Sequence, residues 1–94
     1  MTITSVKAAP GQIDSTVKFL SDFLPRLRKF PGVTAIYSYN TKDNSETNTL
    51  VIWENEDAVK AYWNSELINE PNEFVKKNNG KISREAYSLS TALK

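Results

Sequence analysis

Residues 33–63 read VTAIYSYNTKDNSETNTLVIWENEDAVKAYW, and this stretch decides the fold. Its first part alternates. Val33, Ala35, Tyr37 and Tyr39 are set to point one way and Thr34, Ile36, Ser38 and Asn40 the other, which predicts a strand with one mainly apolar face. Residues 42–48 are polar, and Asp43-Asn44-Ser45 suits a hairpin turn or a longer loop. Leu50, Val51, Ile52 and Trp53 then leave neither face polar, the pattern of a strand covered on both sides. Asn55-Glu56-Asp57 reads as a helix start, with a capping side chain and two acids where the helix dipole favours negative charge. Val59, Trp63 and Leu67 follow at spacings of four, with Tyr62 beside them, and predict the apolar face of that helix.

Working outward, residues 2–8 carry Thr, Ile and Val and end at Pro10-Gly11, a strand closed by a turn. Residues 12–30 place Ile13, Val17, Leu20, Phe23, Leu24, Leu27 and Phe30 at the three/four spacing of one helix face. Pro25 inside that run predicts a kink, and Pro31-Gly32 ends the helix. Beyond the central stretch, Asn69-Glu70-Pro71 opens a short helix carrying Phe74 and Val75. Asn79-Gly80 supplies a left-handed stop, and residues 81–92 form a last strand with Tyr87 and Leu89 on one face.

Strand, helix, strand, strand, helix, strand is the split βαβ pattern. The expected fold is α+β and ferredoxin-like, a single domain over residues 1–94 with a four-stranded antiparallel sheet and both helices on one face. In a lone monomer the other sheet face should be polar. Here the strands offer apolar and aromatic side chains on more than one face, so the expected partner is a second copy packed sheet to sheet in a homodimer.

Composition narrows the chemistry. Ninety-four residues with 39% apolar and 24% charged side chains describe an ordered globular chain with a modest core of its own. Twelve Lys/Arg against eleven Asp/Glu give a charge of +1, without the basic footprint of a nucleic-acid binder. No apolar run reaches membrane-span length, and residues 1–12 lack a signal-peptide core, so a cytoplasmic location is expected. The chain has no Cys and no His. Thiolate nucleophiles, a Ser-His-Asp triad and histidine-ligated haem are thereby excluded, as are the commonest ligands of a transition metal. No metal-ligand spacing is present, and three glycines make neither a P-loop nor a dinucleotide fingerprint.

The remaining raw material is aromatic. Phe19, Phe23, Phe30 and Phe74 have no polar handle and read first as core, with Phe23 also among the pocket-lining candidates. Tyr37, Tyr39, Tyr62, Tyr87, Trp53 and Trp63 each join a large apolar body to one polar tip; Tyr37 and Tyr39 share a strand face, and a helix folded back over the sheet would let these rings line one cleft with Trp53 and Trp63. Arg84 stands among small and apolar neighbours in the last strand. It is set either to hold an anionic oxygen or to pair with Glu54 or Glu85 at the sheet rim. Asn64 is a candidate to orient a hydroxyl or carbonyl, or a surface helix position.

Pro10-Gly11 ahead of helix one, Phe30-Pro31-Gly32-Val33 ahead of strand two and the run Trp53-Glu54-Asn55-Glu56-Asp57-Ala58 carry a resemblance over nearly the whole chain. The sequence resembles the antibiotic biosynthesis monooxygenase domain family, a group of dimeric α/β barrels. The resemblance implies a sheet-to-sheet homodimer and a pocket between sheet and helices. It also implies oxidation of a phenolic, quinol-like or polycyclic aromatic compound by O2 without a cofactor. In that reading Trp53 and Trp63 wall the pocket with Phe23 and Asn64, Tyr37 or Tyr39 bonds the substrate oxygen, and Arg84 stabilises its anion. Trp63 stands where haem-degrading relatives carry an iron-ligating His, so haem degradation is not expected. Thr49 and Val59 stand where some cofactor-free members carry an Asn and a Tyr; Trp53 matches them. The alternative is a non-catalytic barrel that binds a small apolar ligand or has a stress-related role.

Overall fold

The computed structural model describes residues 1–88. Its elements are β1 (Thr2–Lys7), α1 (Ile13–Arg28), β2 (Val33–Asn40), β3 (Glu46–Trp53), α2 (Glu56–Trp63), a single 3-10 turn (Glu66–Ile68), α3 (Asn69–Lys77) and β4 (Lys81–Ala86). The four strands pair antiparallel in the order β2-β3-β1-β4, the ferredoxin-like α+β arrangement the sequence predicts. The last strand, expected over residues 81–92, ends at Ala86 with Tyr87 and Ser88 outside it, and Leu89 onward lies outside the described residues. Among the described residues no helix is long and apolar enough to cross a membrane.

Register decides which side chains meet the helices. Thr2, Thr4 and Val6 of β1 oppose Val51, Thr49 and Thr47 of β3 on one side and Ala86, Arg84 and Ile82 of β4 on the other. Because strand side chains alternate, this set shares one face. It is the helix-covered face, where Val6, Val51 and Trp53 are buried and Phe23, Leu27, Tyr62 and Ile68 close over them. Ile3, Leu50 and Ile52 belong to the opposite face.

β2 departs from the expected parity. Val33 opposes Trp53, yet Ala35 opposes Ile52, so one extra residue is taken up at Thr34. Such a bulge turns every later side chain to the other face. Val33 and Ile36 therefore pack on the core, while Ala35, Tyr37 and Tyr39 share the uncovered face with Leu50 and Ile52. The single apolar stripe Val33-Ala35-Tyr37-Tyr39 read from the alternation is thus split between the two sides of the sheet.

Connections are fixed by a few local devices. α1 is continuous through Pro25, which is exposed, so the carbonyl left without a donor faces water. Gly32 takes φ +93°, and a Cβ there would lie 2.4 Å from the Ala58 Cβ; the turn can touch α2 only because that atom is missing. At the end of α3 the left-handed residue is Asn79, with φ 57°, not Gly80.

Candidate functional site

The site grows from the end of β3. Trp53 is the last residue of that strand and faces the helices. Two residues later the Asn55 side chain accepts a hydrogen bond from the Ala58 amide at 2.9 Å, which starts α2 at a fixed rotation. That rotation buries Tyr62 and leaves Trp63 40% exposed. The Tyr62 ring lies 5.5 Å from the Trp53 ring, and Phe30 meets both edge-on at 5.6 and 6.3 Å. The Trp53 indole N–H donates to the Thr2 hydroxyl at 2.9 Å in a buried bond between β3 and β1. The indole is therefore held on its faces by rings and at its tip by a hydrogen bond.

Two voids adjoin this wall. The inner one, between sheet and helices, measures only about 30 Å³, and its polar lining is Thr2, Thr4, Thr49, Tyr62 and Arg84. The outer one is a groove of about 500 Å³ across the end of the sheet, bordered by Val59, Lys60, Ala86 and Tyr87. Thr2, Trp53 and Trp63 border both voids. The roomy pocket expected beneath the helices is thus nearly filled. An apolar cavity that takes up benzene is about 150 Å³, so a ring fits the groove and not the inner cavity. The inner cavity has room for about one water or one ligand oxygen.

Arg84 supplies the charge. It projects from β4 into the helix-covered layer, opposite Thr4 of β1. Among the described residues its Nη2 is buried without a hydrogen-bond partner, and neither Glu54 nor Glu85 pairs with it; Glu85 instead accepts from the Tyr87 hydroxyl. Burial lowers the Arg84 pKa, opposed by the nearby Tyr62 phenol. Tyr62 is shifted the other way: burial pushes its phenol up, the Arg84 charge pulls it down, and Glu70 adds a further upward push. The cavity thus presents the Arg84 guanidinium beside the Tyr62 phenol and three threonine hydroxyls, with no carboxylate in its lining to balance the charge. Such a place suits an anionic oxygen.

The sequence candidates divide accordingly. Trp53, Trp63, Arg84 and Phe23 all line the inner cavity, Phe23 as a core ring only 2% exposed. Tyr37 and Tyr39, at 62% and 48% exposure, stand on the uncovered sheet face and do not join the cleft of the two tryptophans. Asn64 is also removed from it: its amide donates to the Lys60 carbonyl at 2.9 Å and closes the end of α2. Thr2 has no role in the sequence expectations, Thr49 enters them only as a departure from the family pattern, and Tyr62 only among the polar-tipped aromatics; all three line the inner cavity. The signal for Tyr62 was present, since a cap at Asn55 with Ala58 and Val59 inward places residue 62 inward too, one helical turn on.

No family model matches the chain, and no curated protein matches it by sequence. Solved structures do match it in fold. A candidate antibiotic biosynthesis monooxygenase from Deinococcus radiodurans has TM-score 0.79 at 13% identity, covering 100% of this chain and 99% of its own. A variant of SnoaB from Streptomyces nogalater, a cofactor-independent oxygenase, has TM-score 0.81 at 10% identity over 98% and 94% of the two chains. PA3566 from Pseudomonas aeruginosa has TM-score 0.73 at 20% identity over 95% and 92%. The chain has the fold of the antibiotic biosynthesis monooxygenase structures.

Proposed function

We propose that this chain is a small oxygenase that oxidises an electron-rich aromatic, a phenol, hydroquinone or anthrone, with O2 and without a bound cofactor. The observation that carries this reading is the Nη2 of Arg84, without a partner among the described residues, in a small cavity that only Thr2, Trp53 and Trp63 part from an aromatic-walled groove. The substrate ring lies in the groove against Trp53 and Trp63, and its ionised oxygen is directed at Arg84. A phenolate or enolate reduces O2 by itself once it is ionised and shielded from water. The protein's part is to favour the anion through Arg84, keep Tyr62 protonated as a hydrogen-bond donor, and exclude water with aromatic walls. For an anthrone the balance closes without a further reductant: the methylene carbon becomes a carbonyl with one oxygen atom, and the other leaves as water. The likeness in fold to SnoaB agrees with this chemistry.

A second reading, a binding module without turnover, is favoured by Thr49 and Val59, which stand where an Asn and a Tyr serve in the cofactor-free enzymes that the sequence resembles. In both readings a second copy covers the apolar sheet face formed by Ile3, Ala35, Tyr37, Tyr39, Leu50 and Ile52. Sedimentation should give twice the 10.6 kDa chain mass, and Leu50→Glu should halve it. O2 uptake with a panel of hydroquinones and anthrones decides between the readings. Uptake above that of a Trp53→Ala, Arg84→Ala double variant is expected; equal uptake across the panel removes the oxygenase and leaves the binder.

A further inference from the structure

We propose that Trp63 is a movable wall that controls how ligands reach Arg84, and with it the size of the ligand that the site accepts. The proposal rests on the groove and cavity being the ligand site, as in the reading above. Three residues separate the two voids: Thr2, Trp53 and Trp63. The first two are locked. Thr2 lies on the central strand β1, Trp53 is buried, and the two are joined by the 2.9 Å hydrogen bond from the indole nitrogen. Trp53 is further clasped by the rings of Phe30 and Tyr62.

Trp63 has none of these restraints. It is 40% exposed, and among the described residues its indole neither makes a hydrogen bond nor packs against another ring. Its backbone, by contrast, is held at the end of α2. The next two residues bond back into that helix, Asn64 through its amide to the Lys60 carbonyl and Ser65 through its hydroxyl to the Tyr62 carbonyl at 2.6 Å. Motion of this wall is therefore a swing of the side chain, with no unwinding of the helix. In the conformation described here the inner cavity stays near 30 Å³, too small for any ring. A swing of the indole joins it to the 500 Å³ groove and lets a ring-borne oxygen approach the free Nη2 of Arg84.

The test uses 4-nitrophenol, whose phenolate absorbs in the visible and which reports binding and ionisation without turnover. If the open form makes up roughly 1–10% of molecules, binding is slowed by that fraction, and Trp63→Ala raises the association rate constant about 10- to 100-fold. Trp63→Phe falls between. The ionisation midpoint of the bound probe stays lowered in Trp63→Ala and returns toward the free value in Arg84→Met, which separates the moving wall from the charge. An association rate unchanged by Trp63→Ala, with binding intact, overturns the movable wall and leaves the proposed site standing. No binding to wild type or to either Trp63 variant overturns both.

Discussion

Arg84→Met is the substitution on which the reasoning about this site is most exposed. A buried donor without a partner costs about 1–3 kcal/mol relative to a satisfied or absent one, and the Nη2 of Arg84 is such a donor. Methionine keeps the apolar stem that packs against the helix layer and removes the charge. Part of the gain is offset by losing the attraction between the guanidinium and the Tyr62 phenol. The net expectation is a protein more stable by about 1 kcal/mol, the sign often found when even a paired buried charge gives way to well-packed apolar side chains. For a domain of this size that is a rise in Tm of roughly 4–8 °C. Urea unfolding followed by far-ultraviolet circular dichroism measures it, at one fixed protein concentration because association of two chains would make stability depend on concentration. The same variant should lose its affinity for phenolates. A variant that is less stable by 1 kcal/mol or more would mean that Arg84 holds the fold together, and the argument for an anion site would fail.

Further expectations follow from the same packing. Thr47 has a buried hydroxyl with no partner, so Thr47→Val should stabilise by about 1 kcal/mol in the same urea experiment. Trp53→Phe removes the donor to Thr2 and leaves a gap beside it, costing about 2–4 kcal/mol; Thr2→Val in that background should return part of the loss, a coupling that a double-mutant cycle reads directly. Asp43 accepts from the Thr41 and Ser45 hydroxyls and the Ser45 amide, which lower its pKa from 3.8 to about 2. A carboxyl depressed in the folded state adds stability that is fully present above the unfolded value and lost as pH falls through the folded one. Stability should therefore drop between about pH 4 and pH 2, and Asp43→Asn should flatten that limb; carboxyl titration by NMR gives the midpoint.

How much of this was legible beforehand depends on whether a feature is set by local pattern or by pairing. The alternation of β2, the apolar run of β3 and the Asn55 cap are local, and each predicted its element correctly. The split of the β2 stripe was not local. It depends on Thr34 being the residue that slips against β3, and nothing in the alternation marks Thr34. One slipped residue carried Tyr37 and Tyr39 from the expected cleft to the uncovered face. Tyr62 and Trp63 exchanged roles for a related reason: a strip of helix positions 59, 63 and 67 and a strip of 58, 59 and 62 both suit an amphipathic helix, and the cap together with the chain turn after Trp63 decides between them. Arg84 was found because an arginine among small residues in a strand is conspicuous, but its lack of an acidic partner is a tertiary fact.

The helix-covered face of the sheet carries a further argument. At its centre stand Thr2, Thr4, Thr47 and Thr49, where the covered face of a small sheet ordinarily carries valine or isoleucine. Each hydroxyl there must find a partner or be held at a loss. Among the described residues only Thr2 is matched to a side-chain donor, the Trp53 indole, and the Thr47 hydroxyl has no partner. A chain this short has little stability to give up, and a row of valines would hold the layer more firmly. Thr2, Thr4 and Thr49 line the same small cavity as Arg84 and Tyr62. A polar lining that weakens the fold is intelligible if it meets a ligand oxygen that the fold alone does not contain, which is why replacing Arg84 or Thr47 by an apolar residue should make this protein sturdier, and why the loss of phenolate affinity should accompany Arg84→Met and not Thr47→Val, whose side chain is outside that cavity.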